Sequence, residues 1–500
     1  MFEAAKVGRK VSKADFKARV PALRAELLEA QRQVAATGVP VVIIVSGVQA
    51  AGKGEVVDRL NHWLDPRWVQ TTAFWDESDE DRDRPRYWRF WRSLPPRGEV
   101  GVLFGAWYQS PMDDHMAGDV SDSTLDAELS RIEDFERMLI CDGALIVKFW
   151  FHMSERDQKR RFKALSREDR SRWTNLPTSS TFAAHYQRFE RLAERVVRAT
   201  DTGMAPWYLI EASNRRYRDL AVGETLLSTL RARLAQAGAD EAVHAPGGPV
   251  LPNVAGARRT LLDDINMDQA MATDEYKRRL KALQAELNEL AWTAYKAKRS
   301  TVLVFEGPDA GGKGGAIRRV TAAVDSRLYR TIQIAAPTDE ERAHHYLWRF
   351  WRHLPRAGRM TVYDRSWYGR VLVERVEGFA TPTQWSRSYF EINEFEEQLA
   401  NAGVIVVKFW LNITKDEQLV RFKEREVTPH KQHKITAEDW RNREKWDEYN
   451  DAVNDMVSRT STRHAPWVVI PANDKLFARV AVLEAVTEAL RTALKDDVTS

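Results

Sequence analysis

One cysteine, Cys141, stands in 500 residues. It has no second cysteine with which to close an internal disulfide or begin a cysteine metal cluster, so composition points to a reducing, cytoplasmic setting. Long apolar runs are missing too. The longest covers residues 39–48 and contains Pro40, well short of the roughly 20 residues that span a bilayer. The opening MFEAAKVGRKVSKADF lacks the apolar centre of a signal peptide. Nor does one charge dominate: 76 Lys+Arg against 72 Asp+Glu leave a formal net charge of +4. That balance argues against a strongly basic nucleic-acid protein while allowing local basic clusters. Neither nucleic acid nor membrane is expected as a partner, and a homo-oligomer is compatible with the sequence.

What is abundant is repetition. Lys53 lies in SGVQAAGKGEVV and Lys313 in EGPDAGGKGGAI, a separation of 313 − 53 = 260. The same step carries the WRFWR at Trp88 onto the WRFWR at Trp348, Lys148-Phe149-Trp150 onto Lys408-Phe409-Trp410, and Ala205-Pro206-Trp207 onto Ala465-Pro466-Trp467. A constant offset with no gap marks a tandem duplication. The expected organisation is a first domain at 1–235, a linker at 236–257 rich in Gly, Pro and Ala, and a second domain at 258–500. Each copy then serves as a control for the other. A residue kept in both reflects fold or shared binding, and a charge kept in only one reflects chemistry.

In each copy an amphipathic helix pattern (residues 16–31 and 276–291) leads into an apolar strand, VPVVIIVSG or STVLVFEG, then a glycine-rich turn and a helix. Further apolar strands are expected at 99–104 and 360–363, at 144–149 and 403–409, and at 207–210 and 467–470. Strands alternating with helical patterns predict an α/β chain: two tandem three-layer α/β/α domains, each built on a parallel sheet. The WRFWR aromatics and APW strands, present twice, are expected to pack cores. His344 and His345 read as helix-surface or hydrogen-bonding residues, with no acids at metal spacing beside them.

Gly307-Pro-Asp-Ala-Gly311-Gly312-Lys313 has the G-x-x-x-x-G-K spacing, directly after a strand and before a helix. Glycines let backbone N–H groups turn around phosphate oxygens, the helix N-terminus adds partial positive charge, and Lys313 supplies a point charge. The usual Ser/Thr after the lysine is Gly314, so a metal must find other oxygens, with Asp309 inside the loop a candidate. The first copy has Gln49 there.

The segment MTVYDRSWYGR reads as a strand whose C-terminal tip carries Asp364, the edge where open α/β sheets bind ligands. A hard cation suits such an aspartate. The first copy keeps the Trp and Tyr of this segment but has Phe104, Gly105 and Ser110 for Asp364, Arg365 and Arg370, while Glu374 becomes Asp114. Farther on, RFKEREVTPHKQHK holds Arg425, Lys431 and Lys434, replaced by Leu165, Ser171 and Thr174. A helix ending before Pro429 and followed by a basic segment is a candidate lid over phosphates.

GPDAGGKGG, the Pro337–Trp351 segment, YDRSWYGR with Glu374, RFKER with its basic lid, and APWVVIPANDK together span almost the whole second copy. On these motifs the chain resembles the type-2 polyphosphate kinase family in its tandem form. The resemblance implies P-loop kinase domains with helical lids and, in two-domain members, phosphoryl transfer from inorganic polyphosphate to AMP, giving ADP, with Mg²⁺. Polyphosphate-dependent phosphorylation of nucleoside diphosphates and an ATP-dependent nucleotide kinase remain the alternatives. The residues expected to act are Asp309 and Asp364 on the metal, Lys313 with Gly307, Gly311, Gly312 and Gly314 on the phosphates, and Arg365 and Arg370 on the acceptor. Glu374 is expected beside the metal, with Arg425, Lys431 and Lys434 closing over the polyanion. The first copy lacks most of this set.

Overall fold

The computed structural model describes residues 1–74, 77–165, 186–239, 262–429 and 435–499. Lys431, Lys434 and most of the expected linker lie outside the described residues. The chain forms two compact units. The first holds β1 Val41–Gly47, β2 Val69–Ala73, β3 Val100–Phe104, β4 Leu145–His152 and β5 Trp207–Glu211. The second holds β6 Thr301–Glu306, β7 Tyr329–Gln333, β8 Met360–Asp364, β9 Ile405–Asn412 and β10 Trp467–Pro471. Each sheet is five-stranded, with order β2-β3-β1-β4-β5 in the first unit and β7-β8-β6-β9-β10 in the second. The paired strands run parallel, so helices must cross over and cover both faces. The expected α/β class and parallel sheets are what the chain adopts.

Central strands are continuous apolar runs because both their faces are covered: residues 41–46 and 301–306 are all buried. On one face of the second sheet Leu303, Phe305, Phe409 and Leu411 pack against Leu287 and Ala291 of the helix Thr273–Lys296, Ile317 of the helix Lys313–Thr321, and Val482 and Val486 of the helix Lys475–Thr499. The other face carries a buried polar knot. Lys408 Nζ lies 2.7 Å from Glu396 Oε2 and donates to Tyr368 Oη at 2.8 Å and to the Thr460 carbonyl at 2.7 Å. Trp367 Nε1 donates to the same glutamate at 3.0 Å. The first unit repeats this with Lys148, Glu136, Tyr108, Thr200 and Trp107. The repeated lysine of the KFW motif is thus structural, tying the strand to the Trp-Tyr turn.

β2 and β7 are not among the expected strands. They are edge strands, VQTTA and YRTIQ, exposed or half-exposed at every position, so they carry no apolar signal and owe their structure to pairing with β3 and β8. The units also depart from a simple division at the linker. Thr338–His345 belongs to the first unit and Ser78–Trp88 to the second, stretches that begin at equivalent positions since 338 − 78 = 260. Arg97 N donates to the Ala343 carbonyl at 2.7 Å within the first unit, and Arg356 pairs with Asp83 at 2.7 Å within the second. Among the described residues no helix is long and apolar enough to cross a membrane.

Candidate active site

Register brings the site together. Phe305 of β6 pairs with Asp364 of β8, so the loop after β6 and the acidic tip of β8 emerge side by side at the C-terminal edge of the sheet. The loop's shape depends on glycine where predicted. Gly307 has φ +151°, and a Cβ there would sit 2.8 Å from the Leu411 carbonyl oxygen. Gly312 (φ +105°) is the N-cap of the helix Lys313–Thr321. Gly314 has open space around it, so room for a side chain does not explain the missing hydroxyl.

Lys313 Nζ donates to the carbonyls of Gly307 and Pro308. Burial holds its pKa below the ordinary lysine range, opposed by Asp309 and Asp364 and reinforced by the Arg365 charge. Asp309 Oδ1 accepts from Arg365 Nη2 at 3.2 Å and Oδ2 from Asn442 Nδ2 at 2.9 Å. Its carbonyl accepts from Gln418 Nε2 at 3.1 Å. The first copy keeps that last bond, Gln158 to the Gln49 carbonyl at 3.1 Å, which marks it as loop scaffolding. Asp309, Lys313, Asp364 and Arg365 therefore form one electrostatic cluster, as the sequence implies.

Glu306, the last residue of β6, is 5% exposed. It accepts from Ser366 Oγ at 2.9 Å, and burial raises its pKa against the pull of Lys313 and Ser366. Glu306 and Ser366 lie outside the sequence-predicted set, although the copy-to-copy comparison marks them: Ser46 and Ala106 stand at the equivalent positions.

Two depressions flank the loop. One is lined by Glu306, Asp309, Arg365 and Gln418 on its polar side and by Leu372, Val373, Trp410, Trp446 and Tyr449 on its apolar side. The other is lined by Gly311, Gly312, Arg421, Arg425, Arg479 and the Lys475–Glu424 ion pair, 3.1 Å apart. Arg425 thus lies across the loop from Arg365. Arg370 and Glu374 pair with each other at 3.2 Å, with the Arg370 guanidinium 4.5 Å from the Tyr346 ring centroid, and neither lines the two depressions.

A divalent cation suits Asp309 and Asp364 in donor chemistry. Mg²⁺ is held by one or two carboxylates, with phosphate oxygens and water completing an octahedron. Among the described residues no group of three or more His, Cys, Asp or Glu forms an all-protein metal site.

The first copy is built differently at the same places. Lys53 Nζ donates to the Gly47 and Val48 carbonyls and lies 5.9 Å from the Phe104 ring, where the second copy has Asp364. Burial lowers its pKa to about 8. Behind the loop, Glu55, Arg218 and Asp219 replace Gly315, Ala478 and Arg479. Arg218 is 2% exposed and donates to the Ala51 carbonyl (3.1 Å), Glu55 (2.9 Å) and Asp219 (2.8 Å). A self-neutralised ion-pair cluster occupies the place of the second copy's basic depression.

The polyphosphate kinase 2 family model matches residues 10–238 and again 270–498. A Pseudomonas aeruginosa protein named polyphosphate:AMP phosphotransferase is 50% identical over 99% of this chain and 100% of its own length. A protein of the same name from Pseudomonas syringae pv. tomato is 45% identical over 99% of each chain. The crystal structure of a protein assigned to polyphosphate kinase 2 from Pseudomonas aeruginosa PA01 superposes with a TM-score of 0.88 at 48% identity, covering 99% of this chain and all of that one. The chain belongs to the polyphosphate kinase 2 family, in two tandem copies.

Proposed function

We propose that this polyphosphate kinase 2 family member transfers a phosphoryl group from inorganic polyphosphate to AMP, giving ADP, and that its second copy performs the transfer with Mg²⁺. The observation that carries the reading is the cluster of Asp309, Lys313, Asp364 and Arg365 around one glycine loop, where the first copy has Gln49, Lys53, Phe104 and Gly105. The full-length relatives named polyphosphate:AMP phosphotransferase support the choice of substrates.

Each depression suits one reactant. The aromatic wall of the first suits a nucleoside base, with Arg365 at its polar end for the acceptor phosphate. The other cleft suits a polyanion, with Arg425 and Arg479 on its wall beside the Lys475–Glu424 ion pair. An AMP phosphate oxygen attacks the terminal phosphorus of the donor, the bridging P–O bond breaks, and its electron pair leaves on the shortened polyphosphate. That nucleophile is already largely ionised at neutral pH, its second pKa being about 6, so no protein base is required.

Lys313 and the loop N–H groups hold the transferring phosphate, and Arg365 aligns the acceptor. Asp309 and Asp364 would hold Mg²⁺, whose charge offsets that developing on the phosphoryl oxygens. Arg370 and Glu374 act from beside the acceptor pocket. A cytoplasmic setting agrees with the lone cysteine.

Purified protein supplied with AMP, long-chain polyphosphate and Mg²⁺ should form ADP. ADP formed from AMP and ATP but not from AMP and polyphosphate would favour an ATP-dependent nucleotide kinase. Turnover of ADP to ATP, with AMP inert, would favour the nucleoside diphosphate reading.

A further inference from the structure

Arg365 occupies a backbone conformation that arginine disfavours. Its φ is +63°, and its N–H donates to the Phe305 carbonyl at 3.1 Å. In the first copy Ala106 is left-handed (φ +42°) where Ser366 is extended (φ −153°), and Gly105, at φ +83°, donates to the Val45 carbonyl at 3.2 Å. Glycine meets no Cβ penalty there, whereas an arginine needs its surroundings to hold it. Those surroundings differ between the copies. Ser366 follows Arg365, is 2% exposed, and its Oγ accepts from Tyr368 N at 3.3 Å while donating to Glu306 at 2.9 Å. Glu306 belongs to the central strand, anchored on both sides by β8 and β9. In the first copy neither half of that clasp is present, because Ser46 and Ala106 replace Glu306 and Ser366.

We propose that Glu306 is a positioning residue: clasping Ser366, it fixes the left-handed turn that aims the Arg365 guanidinium at the acceptor phosphate. The clasp and the arginine occur in one copy and are lost together from the other, while the neighbouring Trp-Tyr pair and its buried Lys–Glu knot are kept in both. General support for the fold would follow the second pattern. Glu306 follows the first.

The proposal rests on Arg365 serving the acceptor, and its test separates the two ideas. Rates are measured for full-length wild type, Glu306→Ala, Glu306→Gln, Ser366→Ala and Arg365→Gly, and for Glu306→Ala combined with Arg365→Gly. AMP and polyphosphate are varied separately. Glu306→Ala and Ser366→Ala should each lower kcat/KM for AMP by about 10- to 100-fold, the scale of a small misplacement at a reacting centre, with the KM for polyphosphate unmoved. Glu306→Gln, whose amide oxygen still accepts from Ser366, should recover most of the rate. In the Arg365→Gly background, Glu306→Ala should change the rate less than about twofold, since the group it positions is gone.

Multiplicative losses in the double variant, or a severe Glu306→Ala beside a normal Ser366→Ala, would overturn the proposal. Should Glu306→Ala not fold, Ser366→Ala and Glu306→Gln carry the same comparison. A wild type inactive on AMP and polyphosphate would sink the functional reading, whereas an active wild type with indifferent variants would sink only this inference.

Discussion

Arg365→Gly should separate stability from activity. The left-handed φ of +63° costs a non-glycine residue about 1–2 kcal/mol, and glycine removes that cost. Against the gain stand two losses. Glycine gives up roughly 0.5–1 kcal/mol in additional chain entropy. The ion pair to Asp309, whose arginine side chain is 48% exposed, is worth about 0.2–1 kcal/mol after solvent screening. The terms cancel to within about 1 kcal/mol, which for a domain of this size moves a melting temperature by less than about 4 °C. Activity should behave otherwise: loss of one preorganised charge at the reacting phosphates should lower the rate by about 10²–10³. Thermal melting by circular dichroism and a coupled ADP assay on the same preparation provide both numbers. A variant destabilised by more than about 2 kcal/mol would make Arg365 a structural residue and refute the strain argument. A variant that kept its rate would refute the functional one.

Asp364→Asn should leave the fold intact and cost on the order of 10²–10³ in rate by removing a charged ligand from the phosphate site; raising Mg²⁺ in the assay should restore part of it, and an unaffected rate would remove Asp364 from the site. Lys408→Met should cost about 3–5 kcal/mol, because Glu396 would be left buried without its counter-charge, and Lys148→Met should cost a similar amount in the other unit. The Lys408→Met loss should be smaller at pH 5 than at pH 8. Burial already raises the Glu396 pKa and Lys408 opposes that rise, so removing the lysine lifts the pKa further. A group with a raised folded-state pKa gives its stabilisation below the unfolded value and loses it as pH climbs. Denaturant titrations at the two pH values measure this, and a loss independent of pH would contradict it.

The parts of this molecule that could be read in advance are those whose signal is local. A parallel strand buried on both faces must be an unbroken apolar run, and VVIIVSG and TVLVFE are such runs. A loop that wraps phosphates must spend glycines at fixed spacing, so Gly307 and Gly312 could be placed from their positions alone. The edge strands VQTTA and YRTIQ have no such requirement. Their one bonded neighbour supplies the structure, and a neighbour is a tertiary fact.

The same division runs through the site. Asp309 and Lys313 share one loop, and Asp364 announces itself by ending an apolar strand. The Glu306–Ser366 clasp joins residues 60 apart in sequence, and Asn442 reaches Asp309 across 133. Only parallel pairing or helix packing brings such groups together. Even so, Glu306 carried a mark that the duplication makes visible, a charge present in one copy and absent from its equivalent. The exchange of Thr338–His345 for Ser78–Trp88 between units left no mark, because both stretches have similar composition and the same offset as everything around them.

The division of labour between the two copies is tested most directly by Lys53→Ala and Lys313→Ala, assayed side by side for ADP formed from AMP and polyphosphate. Both lysines sit at the same point of equivalent loops and donate to equivalent carbonyls. One faces Phe104 and the other a field of Asp309 and Asp364. Lys313→Ala should abolish most of the rate while Lys53→Ala leaves it within about twofold of wild type, as expected for a site outside the reaction. Equal losses in the two variants would contradict the account.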